Sequence, residues 1–429
     1  MRLRKSLPAG LLDAGSAALA TFGTGVYAAR FFDTESGELG VYALFFAIFL
    51  VAAIVPFKLV FLPSEVRLLD LPQEQQLGGF RLTLPAGLPV AIGGGLIVLL
   101  AWIPALDADL SLVVPLAITT VITGILSPIQ DHVRRVMHQA GRSWLAAATS
   151  IVQLAVAGAV ITAAVVLDLD KAWIPFGSLA LANTFSIGAG LVLAHRAAER
   201  APGDPYGFRG LAVSGRWLTG FGLLPVGANF LAAAIVAVVA GEVFLGFAEA
   251  SRVAARPLLV FVTGISAVLN PPSLMAGRDR DPAAGRRIAR ISKLVVVGSG
   301  FGFLAWMGFD WVGNPMAWLV EQAYTVEGLT AVTIIVNIFW GMLFSEEAQL
   351  IGGGREVDIF KIYVIAAVVE IAIAFTAPIT EGFAVPLAIL GFAVVRWYGY
   401  RWSLARLYAE QPPDAGPETI GAGTTLTPM

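Results

Sequence analysis

The chain is a succession of long apolar stretches separated by short polar or Arg-rich connections. A transmembrane helix needs about 20 consecutive apolar residues, and stretches of that length recur about twelve times. The pattern therefore predicts an all-α, polytopic integral membrane protein with about twelve transmembrane helices. The predicted spans are 8–30, 39–62, 83–104, 111–130, 143–166, 173–195, 218–240, 243–269, 294–313, 329–349, 361–379 and 383–402.

Composition supports a lipid bilayer as the surroundings of the chain. Hydrophobic residues make up 57% of the 429 residues, charged residues only 14%, and the mean hydropathy is +0.78, well outside the range of soluble globular proteins. The net charge of -2 gives no reason to expect a nucleic-acid partner. The absence of cysteine excludes disulfides and thiolate metal sites.

The basic residues predict the orientation of the helices. They concentrate in alternate connections, and the connections between these hold little beyond Arg30 and Lys171. Because cytoplasmic loops carry the excess of Lys and Arg, we expect both termini to lie in the cytoplasm. The membrane is expected to be the cytoplasmic (inner) membrane of a bacterium. The residues on the basic side include Arg2, Arg4, Lys5, Arg67, Arg81, Arg134, Arg135, Arg142, Arg196, Arg200, Arg209, Arg216, Arg278, Arg280, Arg286, Arg287, Arg290 and Lys293.

A weak internal repeat divides the chain into two halves. "ELGVYA" opens the second span and "FLGFAEA" opens the eighth, while "HQAGRSW" before the fifth span parallels "IGGGREV" before the eleventh. Six spans return the chain to its starting side, so the two copies run parallel. We therefore expect two pseudo-symmetric six-helix lobes, residues 1–205 and 206–410, around a central cavity. Residues 411–429 lack apolar periodicity, which predicts a disordered cytoplasmic tail.

The eighth span carries a stripe of charge in the middle of its apolar sequence. Glu249, Arg252 and Arg256 are spaced by three and four residues, which puts them on one face of a helix. An Arg near the bilayer centre costs about 2.5–3.5 kcal/mol, so this face must meet protein or water. Three interpretations are open. Glu249 and Arg252 pair within the helix while Arg256 reaches the interface, or a surplus guanidinium binds an anion, or Glu249 carries a coupling proton.

Other charged residues within the spans have both structural and functional interpretations. Lys58 either extends to the membrane surface or adds a second basic wall to the cavity. Asp13 is either solvated at the interface or paired with Lys5, and Arg30 should lie at the outer rim. Glu370 is expected to pair with Arg396, with a proton site as the alternative.

Motifs for enzymatic or metal chemistry are weak. His132, His138 and His195 lack metal-ligand spacing. "IGGGRE" lacks the Lys and Ser or Thr of a phosphate-binding loop. The sequence thus favours a transporter over an enzyme and predicts no metal and no cofactor.

Several segments together resemble the polysaccharide flippases of the multidrug/oligosaccharidyl-lipid/polysaccharide exporter superfamily. They are "YAARFF" at the end of the first span, "GELGVYALFFAIF" in the second, the two glycine-arginine turns, and "GFAEASRVAARPL" at the start of the eighth. The resemblance implies two six-helix lobes, alternating access, and transport of an undecaprenyl-diphosphate-linked oligosaccharide from the cytoplasmic to the outer leaflet for cell-surface polysaccharide biosynthesis. It also implies a polysaccharide polymerase or export machinery as a partner.

The resemblance further implies basic residues in the cavity, on the first, second, seventh and eighth spans. Arg252 and Arg256 match best, whereas the seventh span departs from the pattern because Asn229 is its most polar residue. The predicted substrate-binding residues are Arg252, Arg256, Glu249, Lys58, Arg30 and Asp13, and the candidate coupling residues are Glu249 and Glu370.

Two other functions remain open. One is a cation-coupled multidrug or metabolite antiporter of the same superfamily, and the other is a membrane glycan polymerase or transferase. A cation antiporter needs uncompensated carboxylates in its cavity, whereas a carrier of a diphosphate lipid needs uncompensated Arg or Lys.

The one-sided distribution of arginine generates a topology prediction. Reporter domains fused at Gly203 and Gly277 should report a cytoplasmic location, and a reporter at Ala108 should report the exterior. An external signal at Gly277 would be incompatible with two six-helix lobes of equal orientation.

Overall fold

The computed structural model describes residues 3–106, 108–197 and 201–410, and these fold almost entirely into helices. The predicted tail, 411–429, lies outside the described residues. Within the described part of the chain, nine helices are long and apolar enough to cross a membrane, or ten if a bent helix is included.

In residues 3–106, 108–197 and 201–410, twelve long helical segments follow one another in the order of the twelve predicted spans. They are α1 (Leu3–Phe31), α2 (Glu38–Leu68), α3 (Gln73–Trp102), α4 (Leu110–Gln139), α5 (Ser143–Val166), α6 (Lys171–Ala197), α7 (Phe208–Ala240), α8 (Glu242–Arg278), α9 (Pro282–Met307), α10 (Leu329–Gly352), α11 (Glu356–Ala374) and α12 (Ala377–Ala409). Short helices at Pro315–Leu319 and Glu321–Tyr324 connect α9 to α10.

The helix bounds differ most from prediction at α9, which begins at Pro282 rather than at 294. Its first turns carry Arg286, Arg287 and Arg290, which an apolar window excludes. A helix satisfies its own backbone hydrogen bonds, so it continues into water beyond the apolar stretch. Asp281 caps this extension by accepting hydrogen bonds from the backbone NH groups of Ala283 and Ala284.

Helix α8 is bent by 49° between Glu242–Ser266 and Val268–Arg278. Pro271 and Pro272 lie one turn after the bend. A proline cannot donate to the carbonyl four residues earlier and its ring clashes with that carbonyl, which explains a bend at this position.

The helices form two lobes. In the first lobe α5 packs against α1 and α6, and α4 packs against α3 and α6; in the second lobe α11 packs against α7 and α12, and α8 packs against α9 and α10. The lobes meet where α2 packs against α7 and α8 and where α1 packs against α8. The boundary between the lobes is therefore built mainly by α1, α2, α7 and α8.

The sequence repeat corresponds to a repeat of backbone turns. Gly141 before α5 and Gly354 before α11 have φ angles of 67° and 72°, a region that favours glycine. The following residues, Arg142 and Arg355, have φ angles of -104° and -102°. The same chain reversal thus precedes the fifth helix of each lobe, in agreement with two pseudo-symmetric halves.

The two ends of the bundle differ in charge, and the lobes are in contact at both. We call the end where α2 ends and α3 begins the Arg-rich end. At the opposite end the lobes are joined, because Arg30 Nη1 donates to the carbonyl oxygen of Trp318 at 2.8 Å and Gln322 Nε2 donates to that of Phe32 at 2.9 Å. Arg30, a predicted substrate-binding residue, therefore joins the two lobes in this structure.

A glycine contact between α8 and α10 generates a stability prediction. A methyl group on Gly277 would lie 1.9 Å from the carbonyl oxygen of Gln349, so Gly277→Ala must separate the helices and should destabilise the protein by about 1–3 kcal/mol. Gly298→Ala on α9 is the matched control, since a methyl group there meets no atom within 4 Å. Thermal unfolding in detergent should show a lower midpoint for the first variant only. Equal midpoints would contradict the close helix contact.

Candidate functional site

The charged stripe of α8 lies inside the protein, with Glu249 at its centre. Glu249 is fully buried, and its Oε2 lies 2.9 Å from Arg252 Nη1. Its Oε1 lies 3.9 Å from Arg256 Nη2. Neither oxygen has a hydrogen bond of good geometry within the described part of the chain. One carboxylate is thus shared by two guanidinium groups, so the stripe of α8 by itself carries one more positive than negative charge.

Arg256 lies at the boundary between the lobes and does not extend to the membrane surface. Its Nη1 donates to the carbonyl oxygen of Thr21 on α1 at 3.2 Å, and its guanidinium carbon lies 4.6 Å from the centre of the Phe46 ring on α2. Gly25 leaves room for it, because a methyl group there would lie 3.1 Å from Nη1. Arg256 therefore contacts α1 and α2 from α8, and its contacts depend on how the lobes are arranged.

Arg252 and Arg256 line a cavity of about 230 Å³. Its other walls include Asn229 on α7 and Asn337 and Trp340 on α10. The side chains of Arg252 and Arg256 are 25% and 14% exposed, whereas Glu249 is completely enclosed. In the described part of the chain, the residues that line this cavity all belong to α7, α8, α10 and α12 of the second lobe, and none of them is a carboxylate. We call it the central cavity. The charge that it presents is therefore positive, and the two amides and the indole offer hydrogen-bonding and stacking surfaces.

Glu370 is a second buried carboxylate close to the stripe. It lies on α11, is 1% exposed, and its Oε1 has no hydrogen-bond partner in residues 3–106, 108–197 and 201–410. Arg252 is near enough to act on it electrostatically. Among the predicted residues, the structure therefore groups Glu370 with Arg252, Arg256 and Glu249.

The predicted pair of Glu370 with Arg396 is wrong. Arg396 Nη2 lies 2.5 Å from Glu347 Oε2 on α10, and its Nε donates to Tyr400 Oη at 3.1 Å. The guanidinium carbon also lies 4.4 Å from the centre of the Trp340 ring. Similar depth in the membrane suggested the pair, but depth does not fix which faces of α10, α11 and α12 meet.

Lys58 lies elsewhere, on a π-helical turn of α2 at Phe57–Phe61. Its Nζ is 5.4 Å from the centre of the Phe57 ring, and the guanidinium carbon of Arg135 is 4.4 Å from the same ring. Lys58 is not among the residues that line the central cavity. Lys58 therefore lies near another cation, Arg135, rather than in a wall of this cavity.

Asp13 is a buried hydrogen-bonding centre of the first lobe. It accepts two hydrogen bonds from Arg134 at 2.7 Å each and one from Ser150 at 2.6 Å, and His138 Nε2 lies 2.9 Å away. The side chain of Lys5, its expected partner, lies outside the described residues. These contacts tie α1 to α4 and α5.

Two cavity residues, Asn337 and Trp340, were not predicted from the sequence. Charge was the signal used to find site residues, and both are uncharged. The available signal for Asn337 was an amide within the apolar run "AVTIIVNIFWG". The aromatic Trp340 carries no such signal, since aromatic residues are common in membrane helices.

Comparisons with solved structures identify the fold. No family model and no curated protein matches the sequence. The chain is similar to an inward-facing multidrug resistance MATE family transporter of the MOP superfamily, with a TM-score of 0.70 and 12% identity over 92% of this chain and 95% of that one. An outward-facing MATE family transporter gives a TM-score of 0.57 at 12% identity, over 94% and 96%.

A MOP superfamily transporter from Pyrococcus furiosus is also similar, with a TM-score of 0.55 and 11% identity over 94% of this chain and 96% of that one. It is described as having a binding pocket of reverse polarity, which suggests a different function for it. These likenesses, all below 25% identity, show that the chain has the fold of these transporters. They confirm the predicted all-α membrane architecture and do not test the polysaccharide flippase subfamily.

Accessibility of the charged stripe can be tested in this Cys-free chain. Cys introduced at Arg252 or Arg256 should react with a membrane-impermeant thiol reagent, because both side chains line the central cavity. Cys at Glu249 is the matched buried control and should react far more slowly, since Glu249 is enclosed. Inertness at all three positions in folded protein would contradict a water-accessible cavity.

Proposed function

We propose that the protein is a membrane transporter that works by alternating access and binds an anionic group of its substrate in the central cavity. The observation that carries this proposal is the polarity of the cavity. Arg252 and Arg256 are exposed to it, whereas Glu249 and Glu370 are buried. Guanidinium groups that line a cavity and that a carboxylate neutralises only in part favour an anion, and their planar forks suit phosphate oxygens.

The arrangement of the lobes supports alternating access. The lobes are joined at the end opposite the Arg-rich end through Arg30 and Gln322. The structure is also more similar to an inward-facing than to an outward-facing MATE family transporter. We infer that this conformation receives substrate from the Arg-rich end, which we place in the cytoplasm. Opening of the opposite end would then break the hydrogen bonds of Arg30 and Gln322 to carbonyl oxygens across the boundary.

The substrate we propose is an undecaprenyl-diphosphate-linked oligosaccharide. Its diphosphate matches Arg252 and Arg256, and its sugar hydroxyls match amides such as Asn229 and Asn337, which line the same cavity. The resemblance of the sequence to polysaccharide flippases supports this choice. Transport would run from the cytoplasmic to the outer leaflet of a bacterial cytoplasmic membrane, where a polysaccharide polymerase or export machinery would use the product.

In this mechanism the charges of α8 have different tasks. Glu249 orients Arg252 by contact at 2.9 Å and limits how tightly an anion is held, which helps release. Arg256 donates to Thr21 on the other lobe, so movement of the lobes changes the hydrogen bonds available to its guanidinium. Binding of the anion is thereby linked to the arrangement of the lobes.

A cation-coupled multidrug antiporter is the second candidate. The similarity of the fold to that of a multidrug resistance MATE family transporter supports it. So does Glu370, a buried carboxylate whose Oε1 has no hydrogen-bond partner in the described residues. In such a transporter Glu370 would carry a proton or bind a cation. For the Pyrococcus furiosus protein, a binding pocket of reverse polarity suggests a different function, which supports the use of cavity polarity to choose between the two candidates.

Substitutions within the stripe separate the two candidates. Each of Arg252→Gln and Arg256→Gln should reduce translocation of the lipid-linked glycan by about ten- to a hundredfold, since a charge-assisted bond to an anion contributes about 1.5–3 kcal/mol. Lys should rescue in part, because it keeps the charge and loses the fork. Translocation would be measured in cells at matched expression, with the exposed Arg142→Gln as the control for loss of one positive charge.

The antiporter predicts the reverse pattern. Glu370→Gln would abolish transport of a cationic drug, while the Arg252→Ala, Arg256→Ala double variant would be tolerated. Full glycan translocation by that double variant would rule out a diphosphate bound by these residues.

A further inference from the structure

A second recess lies at the end opposite the Arg-rich end, between the last turns of α1 and the connection from α5 to α6. Its volume is about 330 Å³. The residues that line it include Tyr27, Phe31, Val165, Asp168, Asp170 and Lys171. All of these belong to the first lobe, so the recess is separate from the central cavity. It offers two aromatic rings and two carboxylates to a ligand.

Tyr27 places an unpartnered polar group in this recess. The residue is 5% exposed, and its hydroxyl forms no hydrogen bond within the described part of the chain. Asp168 and Asp170 are near enough to act on it electrostatically. Because the hydroxyl of a buried tyrosine usually has a hydrogen-bond partner, this one is available to a ligand.

Asp168 stands where its residue type is locally unfavourable. Helix α5 ends in hydrogen bonds from the backbone NH groups of Leu167 and Leu169 to carbonyl oxygens of its last turn, at 2.9 Å and 3.0 Å. Asp168 lies between them with a φ angle of 50°, a position that favours glycine. A negative charge at the C-terminus of a helix also opposes the helix dipole. A residue that breaks two local rules in this way is expected at a functional site.

The recess has a surplus of negative charge. In the part of the chain that the structure describes, Lys171 is the one basic residue that lines it, and Lys171 Nζ lies 2.5 Å from Glu38 Oε2. Arg30, at the end of α1, donates to a carbonyl oxygen of the second lobe instead. One oxygen of Asp170 caps the first turn of α6, and the carboxylate of Asp168 forms no ion pair or hydrogen bond within the described residues. The two carboxylates therefore remain without a neutralising cation.

The recess also borders the surface that meets the bilayer. Val165 and Leu169, which line it, are both exposed, and so is Phe31. Trp173, in the first turn of α6, is exposed as well, and tryptophan is enriched where membrane and water meet. A lipid could thus place its headgroup among the carboxylates and its acyl chains along the apolar side chains.

We infer that this recess binds the primary ammonium headgroup of a phospholipid such as phosphatidylethanolamine, in the leaflet at the end opposite the Arg-rich end. An ammonium group has three N–H donors, which match the carboxylates of Asp168 and Asp170 and the lone pairs of the Tyr27 hydroxyl. The rings of Tyr27 and Phe31, whose centres lie 4.6 Å apart, attract a cation. The inference does not depend on the substrate proposed for the central cavity.

Lipid titration of the full-length protein in detergent tests the site. Phosphatidylethanolamine should raise the thermal unfolding midpoint in a saturable manner, whereas phosphatidylglycerol with the same chains should not. Asp168→Asn should weaken this binding by about three- to tenfold, and Tyr27→Phe, which keeps the ring, by about threefold. Asp109→Asn is the matched control, because it removes an exposed carboxylate at the same end and asparagine caps a helix equally well. It should bind the lipid as the wild type does.

Asp168→Gly separates binding from stability. Glycine suits a φ angle of 50°, and loss of the charge relieves the C-terminus of α5. Without added lipid, the unfolding midpoint of this variant should therefore equal or exceed that of the wild type, while its increase on addition of phosphatidylethanolamine should shrink as in Asp168→Asn. A lower midpoint without lipid together with an unchanged increase on addition of lipid would mean that Asp168 only shapes the turn, which overturns the inference.

Two further ligands identify the group that is bound. Phosphatidylcholine carries a positive charge without N–H donors, so it should stabilise the protein less than phosphatidylethanolamine does, and equal stabilisation would exclude a site for primary ammonium. Free ethanolamine at the same concentration should have little effect, because it lacks the chains that would lie along Val165 and Leu169. An effect equal to that of the lipid would assign the recess to a soluble amine and overturn the lipid assignment. Unchanged binding of phosphatidylethanolamine by the Asp168→Asn, Tyr27→Phe double variant would place the lipid elsewhere on the protein.

Discussion

The low polarity of the membrane interior governs where the charged side chains of this protein can lie. A charge at the bilayer centre costs several kcal/mol unless protein or water surrounds it, so each one must be neutralised or used. Arg396 is neutralised by Glu347 and enclosed by aromatic rings. Asp13 is neutralised by Arg134 and by further hydrogen bonds within its lobe. Arg252 and Arg256 differ from both, since they share one carboxylate and line a cavity.

The distribution of polar contacts is consistent with lobes that move as units, as the proposed mechanism requires. Within the first lobe, Gln153 on α5 donates to Asn183 on α6 at 2.7 Å, and Asn183 donates to Ser127 on α4 at 3.0 Å. Such buried networks hold a set of helices in one arrangement because each unpaired polar group would be costly. At the boundary, Arg30 and Gln322 donate to backbone carbonyls at the bundle end, where water can replace those bonds.

Fold and substrate are determined by different features of this chain. The solved transporter structures are 11–14% identical to this chain, so the similarity shows how the helices pack. It does not identify the substrate, because one fold can carry different binding sites. The polarity of the central cavity comes from a few side chains on α8.

The membrane location of the chain, the order of its helices and the repeat of its halves could all be predicted from the sequence. Apolar length requires spanning helices, and the positive φ angles at Gly141 and Gly354 require glycine at matching places. The sequence also determined that Glu249, Arg252 and Arg256 share a face, since spacings of three and four do so on any α-helix. These features depend on local geometry alone.

The pairing of the charged side chains could not be predicted from the sequence, because it depends on how the helices pack. Depth in the membrane suggested a pair of Glu370 with Arg396, but the rotation of each helix about its axis brought Arg396 to Glu347 and left Glu370 near Arg252. Lys58 likewise lies beside Arg135 of α4, a neighbour far away in the sequence. Helix rotation is set by packing against several other helices at once, and no single segment of the sequence contains that information.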